Sequence, residues 1–402
     1  MRKLSIALAL ALAAAAPAAG QDKKQPLPGA AHPGVDQKRV NRAIAAGVEY
    51  LKTCDSPGHN QSKDADELIL LTLIHAGAEA QPRFKQLFDK MMSEPLEDTY
   101  GVALQAMVLE EYERVKYQGR IHQCAQFLVD NQCANGQWSY GTPTTYPDAV
   151  PVPRSDVPTG LVRKPAKLER GTRNFDEPEA VGRQKPRVQI HLSVKKNRDG
   201  PAGGDNSNSQ YAAPGIRACH DAGIVFPREV VERARTHWID TQEKGEKGSV
   251  ATGPGAGVPR GWGYNAAGEA KGYGSMTAGA VGAVCIYDFI LAIEFRKDPS
   301  VLDGIAWLAK NFLVTNNPGR PNWFHYYYLY GLERAGMLSD NVKMGDHDWY
   351  MEGANLLLDQ QRADGSWGSD DKLNPPSWGT CFAVLFLKQA TRRLDVASTD
   401  RR

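Results

Sequence analysis

Two kinds of helical pattern alternate along the chain. In the first kind, apolar residues recur at helical spacing and one polar face remains. The second kind is richer in small and apolar residues and is apolar on most faces, which is typical of a buried helix. Amphipathic segments lie at 41–53, 81–92, 120–132, 228–242, 300–313 and 347–361. Each is followed by an apolar segment, at 64–77, 98–112, 205–223, 273–290, 322–336 and 378–390.

This alternation predicts an all-α protein with two concentric layers. Six inner helices, parallel to one another, would be enclosed by six outer helices, which gives a closed (α/α)6 toroid of about six helical hairpins. Two stretches do not fit the pattern. Residues 139–204 hold nine of the 25 prolines and form a long irregular insertion, and 243–272 form a Gly-rich loop. Both lead into the start of an inner helix, so we expect both at the same end of the ring.

The same ending recurs after several amphipathic segments. FLVDNQCANGQW (127–138) and LLLDQQRADGSW (356–367) share Leu, Gln, Gly and Trp at identical spacing, and HWIDTQEKG (237–245) shares the start. A glycine can end a helix, a glutamine in the last turn can bond free backbone groups, and a tryptophan offers a large apolar face. We interpret the ending as structural, and its residues are Gln132, Gly136, Trp138, Gln242, Trp262, Gln361, Gly365 and Trp367.

The N-terminus resembles a secretory signal peptide. Arg2 and Lys3 precede the uncharged apolar run 4–16, and Ala18 and Gly20 suit a cut before Gln21. The prediction is a signal peptide at 1–20, a flexible segment at 21–37, the toroid at 38–392 and a tail at 393–402. The mature chain would be periplasmic or secreted, because no later segment is apolar for long enough to span a membrane.

Charge and cysteine content narrow the function classes. A formal net charge of +2 argues against a nucleic-acid-binding protein. The six cysteines show neither a CxxC motif nor a repeated spacing. Buried thiols and disulfides are both compatible with this scatter in an exported protein, and the apolar surroundings favour buried thiols.

With these repeats, the chain resembles the superfamily of terpenoid cyclases and protein prenyltransferases over roughly residues 38–392. The Gln, Gly and Trp ending is similar to the QW motif of squalene and hopene cyclases. DNSNSQYA (205–212), YGSMTAG (273–279) and HYYYLYGLERAG (325–336) look like exported bacterial proteins with prenyltransferase and squalene-oxidase repeats. The resemblance implies a ligand cavity at the ring centre, entered from the end where the inner helices begin. We call this end the mouth.

The catalytic motifs of those families are missing. The DxDD acid of the cyclases is absent, and the nearest string is Ser369-Asp370-Asp371. His325 stands in a context similar to a prenyltransferase zinc ligand, but Tyr273-Gly274-Ser275 replaces the Asp-x-Cys partner. A catalytic zinc needs about three protein ligands. The sequence therefore predicts no metal and no cofactor.

The mouth nevertheless supplies candidate residues, because helix N-termini offer free N–H groups and a partial positive charge. The candidate catalytic residues are Asp98, Asp205 and His325. The candidate ligand-binding residues are Tyr100, Asn206, Asn208, Gln210, Tyr273, Ser275, Tyr326, Tyr327 and Trp378. The alternative for Asp98 and Asp205 is helix capping, and the alternative for His325 is an ordinary buried histidine.

Three function classes follow from these candidates. The first is a binding protein whose ring cavity holds an apolar or amphiphilic ligand, such as an isoprenoid, or an acidic sugar. The second is an enzyme of unrecognised mechanism at the mouth, either a lyase or hydrolase on acidic glycans or a terpenoid-modifying enzyme. The third is an envelope interaction protein that docks a protein partner through residues 139–204.

Overall fold

The computed structural model describes residues 32–56, 65–146, 185, 188–245, 256–265, 271–369 and 375–394. These residues form twelve α-helices, two two-residue strands and one 3-10 turn, Phe295–Lys297. The helices are α1 (Gln37–Leu51), α2 (Asp66–Ala76), α3 (Pro82–Ser93), α4 (Thr99–Glu113), α5 (Gln118–Asp130), α6 (Asn206–Asp221), α7 (Arg228–Thr241), α8 (Gly274–Leu291), α9 (Pro299–Lys310), α10 (His325–Leu338), α11 (Trp349–Gln360) and α12 (Pro376–Leu387).

Local sequence accounts for many of the helix starts. Carboxylates that accept backbone N–H groups cap five of them, and the capping residues are Asp36, Asp98, Asp205, Asp298 and Asp348. Prolines stand in the first turn of α3, α9 and α12, where the helix requires no backbone N–H donor. These signals explain why the observed starts lie close to the expected ones.

The even-numbered helices contact one another in a closed cycle. α2 packs on α4, and the series continues through α6, α8, α10 and α12 back to α2. Each odd-numbered helix packs against one or two members of this cycle. The all-α prediction is confirmed. We call the even-numbered helices the inner helices, the odd-numbered helices the outer helices, and the closed cycle of contacts the ring; the (α/α)6 toroid itself stays a prediction.

Within the described segments, α8 alone is long and apolar enough to cross a membrane by length and composition. Its most apolar 18-residue window is 89% buried inside the protein. α8 contacts α6, α7, α9 and α10, so neighbouring helices cover it on several sides. Its apolar character is thus explained by its place in the core.

The tryptophan of the repeated ending connects an outer helix to an inner one. Each indole Nε1 donates to a backbone carbonyl of the preceding outer helix: Trp138 to Leu128 (2.8 Å), Trp262 to Trp238 (2.7 Å) and Trp367 to Leu357 (2.7 Å). Each tryptophan backbone N–H donates to a hydroxyl of an inner helix: Ser209 (2.9 Å), Thr277 (3.1 Å) and Thr380 (3.0 Å). The three indoles are fully buried.

The glutamine of the repeated ending reaches the next outer helix. The Nε2 atoms donate to carbonyls in the first turn of α7 and α9 and near the middle of α1: Gln132 to Val230 (2.7 Å), Gln242 to Ser300 (3.0 Å) and Gln361 to Ala43 (2.8 Å). The last of these bonds joins α11 to α1. It therefore links the end of the chain to its beginning in the outer layer.

The glycine of the repeated ending does not stop the helix, contrary to our expectation. α5 ends at Asp130 and α11 at Gln360, several residues before Gly136 and Gly365. Both glycines have positive φ, +92° and +86°, in a tight turn. A Cβ atom at either position would collide with a backbone carbonyl of the next outer helix, Arg233 or Ala46. The glycines therefore allow a close approach between successive outer helices.

Part of the predicted irregular insertion packs against α5. The strand Leu192–Ser193 (β1) pairs in parallel with Ile224–Val225 (β2). Gln126 Nε2 donates to Lys195 O at 2.6 Å, and Asn197 N donates to Asp130 Oδ1 at 2.8 Å. Residues 188–204 are thus an extended segment held by α5. Residues 147–184 lie outside the described part of the chain.

The segment after α12 covers the end of the ring opposite the mouth. Arg392 Nη2 lies 2.9 Å from Glu110 Oε2 and 3.5 Å from Asp221 Oδ2, at the ends of α4 and α6. Leu394 is buried, so ordered packing extends past the predicted boundary at 392. The signal peptide 1–20, most of 21–37, Asp370, Asp371 and residues 395–402 lie outside the described residues.

The six cysteines are free thiols, and all six are buried. Burial raises the pKa of Cys54 and Cys133 to about 11 and that of Cys124 to about 12. Thiols with such pKa values are protonated at neutral pH and have little nucleophilic character. The preference for buried thiols over disulfides is therefore confirmed.

Candidate functional site

A cavity of about 430 Å³ opens at the mouth. All six inner helices contribute residues from their first turns, and three loops complete the wall. The lining residues are Ala65, Glu67, Leu68, Tyr100, Gly101, Leu104, Tyr140, Ser207, Tyr211, Tyr264, Tyr273, Ser275, Met276, Asn317, Trp323, Phe324, Tyr326, Tyr327, Trp378, Gly379 and Phe382. The volume lies in the range of small-molecule sites.

Aromatic side chains dominate this wall. Eleven lining residues are Tyr, Trp or Phe, and Glu67 is the one described lining residue with a formally charged side chain. The rings pack on one another: the Tyr211 centroid lies 4.8 Å from that of Tyr100 and 5.8 Å from that of Tyr327, and Tyr327 lies 5.8 Å from Phe382. Such a wall offers apolar contact over most of its area and few places for a charge.

Three hydroxyl groups form a small polar cluster in the wall. Tyr100 OH is within hydrogen-bond distance of Ser207 Oγ, which lies 3.1 Å from Tyr327 OH. Burial raises the pKa of Tyr100 and of Tyr327 well above 10, and it raises the pKa of Tyr211 to about 12. These phenols are protonated at neutral pH. They can orient a polar group of a ligand, but they are poor proton acceptors.

Six of the nine predicted ligand-binding residues line the cavity: Tyr100, Tyr273, Ser275, Tyr326, Tyr327 and Trp378. The three on α6, Asn206, Asn208 and Gln210, do not. Asn206 Oδ1 lies 2.9 Å from His237 Nε2, and Asn208 Nδ2 donates to Asp205 at 2.8 Å. The helical period explains the difference. Positions 207 and 211 share a face, and that face meets the cavity, whereas 206 and 208 lie on other faces. Gln210 packs against α8 instead, where its Nε2 lies 3.7 Å from Met276 Sδ.

The three predicted catalytic residues do not line the cavity. Asp98 Oδ1 accepts from Gly101 N at 2.9 Å, and Asp205 Oδ1 accepts from Asn208 N at 2.8 Å, so both cap helices. His325 Nε2 lies 2.7 Å from Val314 O and therefore donates a hydrogen bond to this carbonyl. Burial lowers the pKa of His325, which keeps its ring neutral at pH 7. These contacts agree with helix capping for Asp98 and Asp205 and with an ordinary buried histidine for His325.

Asp205 is connected to the cavity wall by a hydrogen bond from Tyr264. Burial raises the pKa of Asp205, and hydrogen bonds from Asn208 and Tyr264 act in the opposite direction. Tyr264 belongs to the cavity lining, and burial raises its pKa as well. Asp205 therefore orients Tyr264 in the wall and would not itself contact a bound ligand.

The loop before α10 is held over the mouth. Asn317 is buried; its Oδ1 accepts from Ser275 N at 2.9 Å, and its Nδ2 donates to Trp323 O at 3.0 Å. Asn322 and Phe324 have positive φ of 64° and 48°, a conformation that costs non-glycine residues energy. Trp323 is 51% exposed although it lines the cavity. The loop thus presents an aromatic ring to the cavity and to solvent at once.

Sequence reasoning missed part of the wall. Ser207 and Tyr211 could have been found from their i, i+4 spacing at a helix start, and Phe382 from its spacing to Trp378. Glu67 stands in the first turn of an inner helix and was not singled out. Tyr140, Tyr264, Asn317, Trp323 and Phe324 come from loops or loop ends, and no local pattern places them at the cavity.

A second, larger cavity of about 1000 Å³ lies outside the ring, between α5 and the insertion. Most residues of its wall have polar side chains, among them His122, Gln126, Asp130, Lys195 and Arg198. The inner helices do not contribute to it. The convergence of all six inner helices makes the mouth cavity the stronger candidate site.

Comparison of the sequence with models of known protein families finds no match, and comparison with curated proteins finds no significant match. The resemblance to terpenoid cyclases and prenyltransferases therefore depends on the repeated endings and inner-helix segments quoted above.

Proposed function

We propose that this chain is an exported α/α-toroid protein, similar to the squalene cyclases and prenyltransferases, that binds an apolar or amphiphilic ligand at its mouth. One observation carries the proposal. All six inner-helix starts converge on a single cavity whose wall has eleven aromatic residues and one formally charged residue among those described. Burying apolar ligand surface against such a wall is favourable.

Binding fits this wall better than acid–base catalysis on an acidic glycan. A lyase or hydrolase of that kind needs a group that accepts a proton and a cation that neutralises a uronate. The wall tyrosines whose pKa values burial raises are protonated. Glu67 is the one carboxylate among the described lining residues, and that lining contains no Lys, Arg or His that would neutralise a uronate inside the cavity. The predicted catalytic carboxylates cap helices behind the wall.

Export and family membership are parts of the same proposal. The support for export is the signal-like pattern of residues 1–20, and the support for the family is the repeated ending with its Gln, Gly and Trp. The protein partner of residues 139–204 stays a prediction, because most of that segment lies outside the described residues.

The test is a thermal-shift screen of residues 21–402 against isoprenoid alcohols and acidic oligosaccharides. A ligand at about 100 times its dissociation constant should add ~2.7 kcal/mol to the free energy of unfolding. We expect a shift with the isoprenoid alcohols. A shift with oligosaccharides alone would contradict the proposal, and no shift with either class would favour an interaction protein.

Two tyrosines on α4 provide a matched pair of variants. Tyr100 lines the cavity, whereas Tyr112 packs near the other end of the same helix against Phe84 and Phe88. Tyr100→Ala should weaken the ligand-induced shift, and Tyr112→Ala should lower stability but leave the shift intact. Equal effects on the shift would place the ligand elsewhere.

A further inference from the structure

We propose that the ligand of the mouth cavity is an amphiphile with an oxyanion head, a carboxylate or a phosphate, and that Arg320 at the rim holds this head. The inference rests on the proposed function and names the chemistry of the ligand's polar end.

The cavity wall itself has little capacity for a charged head. Among its described residues the polar groups are hydroxyls, one amide and the carboxylate of Glu67. A buried charge without a partner is costly, so a charged head would remain at the rim while an apolar chain fills the interior. The charged residues at the rim therefore determine whether the cavity prefers an anionic or a cationic head.

Arg320 supplies a positive charge at this rim. Its guanidinium carbon lies 5.3 Å from the ring centroid of Tyr273 and 5.7 Å from that of Trp323, and both rings line the cavity. Arg320 is exposed, and no carboxylate of the described chain forms an ion pair with it. A guanidinium with free donors suits carboxylate and phosphate oxygens, which it can bind in a bidentate manner.

The loop conformation fixes Arg320 in this place. Asn317 anchors the loop to α8 on one side of Arg320, and Gly319, Asn322 and Phe324 take positive φ around it. Two of these three residues are not glycine, so the conformation is costly and must be held by its surroundings. The backbone at Arg320 is therefore held in place, and the guanidinium lies against the rings of Tyr273 and Trp323.

A second arginine makes the interior electropositive behind the wall. Arg334 is buried; its guanidinium lies 4.8 Å from the ring of Tyr211, a lining residue, and 4.7 Å from that of Tyr330. Its Nη1 atom is buried and has no hydrogen-bond partner. The neighbouring Glu333 is bonded to Thr391 instead. No carboxylate of the described chain lies within ion-pair distance of Arg334, although Glu333 interacts with it electrostatically, so its positive charge also acts on the cavity.

The N-termini of three helices also favour an anionic head, whereas the carboxylate of Glu67 disfavours it. α2, α10 and α12 begin at the mouth without a side-chain cap, so the positive ends of their dipoles face this region. Glu67 belongs to α2, which is opposite α8 in the cycle of inner helices. Tyr273, whose ring Arg320 contacts, directly precedes α8. Glu67 would repel an oxyanion from the far side and favour the side of Arg320.

The test compares dodecanoate, dodecyl phosphate, dodecanol and dodecyltrimethylammonium by calorimetric titration of residues 21–402. The charged probes are used below their micellar concentrations and dodecanol below its solubility limit. The four probes share one chain and differ in the head. We expect the two anions to bind about tenfold more tightly than dodecanol, because hydrogen bonds to charged groups are the stronger ones. Whichever anion binds better identifies the head. The preference should weaken as salt is added, because Arg320 is exposed.

Arg320→Gln should remove this preference and leave dodecanol affinity unchanged, and Arg320→Lys should restore part of it. Arg296→Gln is the matched control, since Arg296 also stacks on an aromatic ring, Phe295, in the turn that follows α8. Its effect on the four affinities should be negligible.

The other outcomes overturn the inference in distinguishable ways. Equal binding of anions and dodecanol, insensitive to Arg320→Gln, would refute the oxyanion head and leave cavity binding standing. Tighter binding of dodecyltrimethylammonium would assign a cationic head. Absence of binding by all four probes would refute this inference together with the proposed function.

Discussion

Glu333 is fully buried on α10, next to Arg334, where the segment after α12 crosses the helix. Its two carboxyl oxygens accept from the backbone N–H of Thr391 at 2.9 Å and from the Thr391 hydroxyl at 2.7 Å. Burial raises the pKa of Glu333 from 4.5 to about 7, although these hydrogen bonds act in the opposite direction. The folded protein therefore holds a proton on this carboxyl that the unfolded chain releases near pH 4.5.

This shift predicts a specific pH dependence of stability. The contribution of protonated Glu333 is fully present below pH 4.5 and is lost as the pH rises through 7. Glu333→Gln keeps a neutral side chain at every pH, and its amide oxygen can accept from the Thr391 N–H while its amide nitrogen can donate to the Thr391 hydroxyl, so it should not lose this contribution. Relative to the natural protein, the variant should gain ~3 kcal/mol between pH 5 and pH 8.

Urea denaturation at several pH values measures the difference in unfolding free energy. Glu232→Gln, on the exposed side of α7, is the control and should show a flat difference over the same range. A flat difference for Glu333→Gln as well would mean that Glu333 is ionised in the folded protein at pH 5.

At the scale of the elements, the repeated ending joins three helices at each occurrence. The tryptophan indole bonds its own outer helix, its backbone N–H bonds an inner helix, and the glutamine bonds the next outer helix. The ending is a connection between elements, which is why its residues contribute nothing to the cavity wall. It should affect stability and leave ligand preference unchanged.

Trp367→Ala tests this separation. Loss of a buried tryptophan should cost ~3 kcal/mol of unfolding free energy, and the order of ligand affinities should stay the same. Trp323→Ala is the matched variant, because Trp323 is half exposed at the rim. It should leave stability nearly unchanged and weaken ligand binding. A stable Trp367→Ala protein with altered ligand preference would contradict the structural role.

At the scale of the whole molecule, closure of the ring depends on contacts between the two ends of the chain. α12 contacts α2, α11 contacts α1, and Arg392 binds the ends of α4 and α6. The carboxylates that Arg392 meets, Glu110 and Asp221, are almost fully buried. Removal of the guanidinium would leave buried negative charges with fewer partners.

Arg392→Met should therefore lower the unfolding free energy by ~3 kcal/mol. The exposed pair Arg228–Glu232 provides the control, and Arg228→Met should cost less than about 1 kcal/mol. Urea denaturation measures both values. Hydrogen exchange should also show faster opening at the ends of α4 and α6 in Arg392→Met alone. Similar losses in the two variants would mean that the segment after α12 does not hold the ring closed.

The sequence by itself determined the helices, their alternation and the connecting role of the repeated ending. These features depend on residues close together in the chain. The segment predicted at 228–242 is α7 at Arg228–Thr241, because its apolar spacing and the proline before it are local signals. The same local information favoured buried thiols and identified Asp98 and Asp205 as helix caps among the alternatives.

Only the tertiary structure decided which side chains form the cavity. Tyr100, Tyr211 and Tyr327 lie more than a hundred residues apart in sequence, and ring closure brings their side chains together. The direction of each side chain depends on the rotation of its helix about its own axis, which neighbouring helices set through packing. For this reason, Ser207 faces the cavity while Asn206 and Asn208 do not, and loop residues such as Trp323 reach the rim without any local signal.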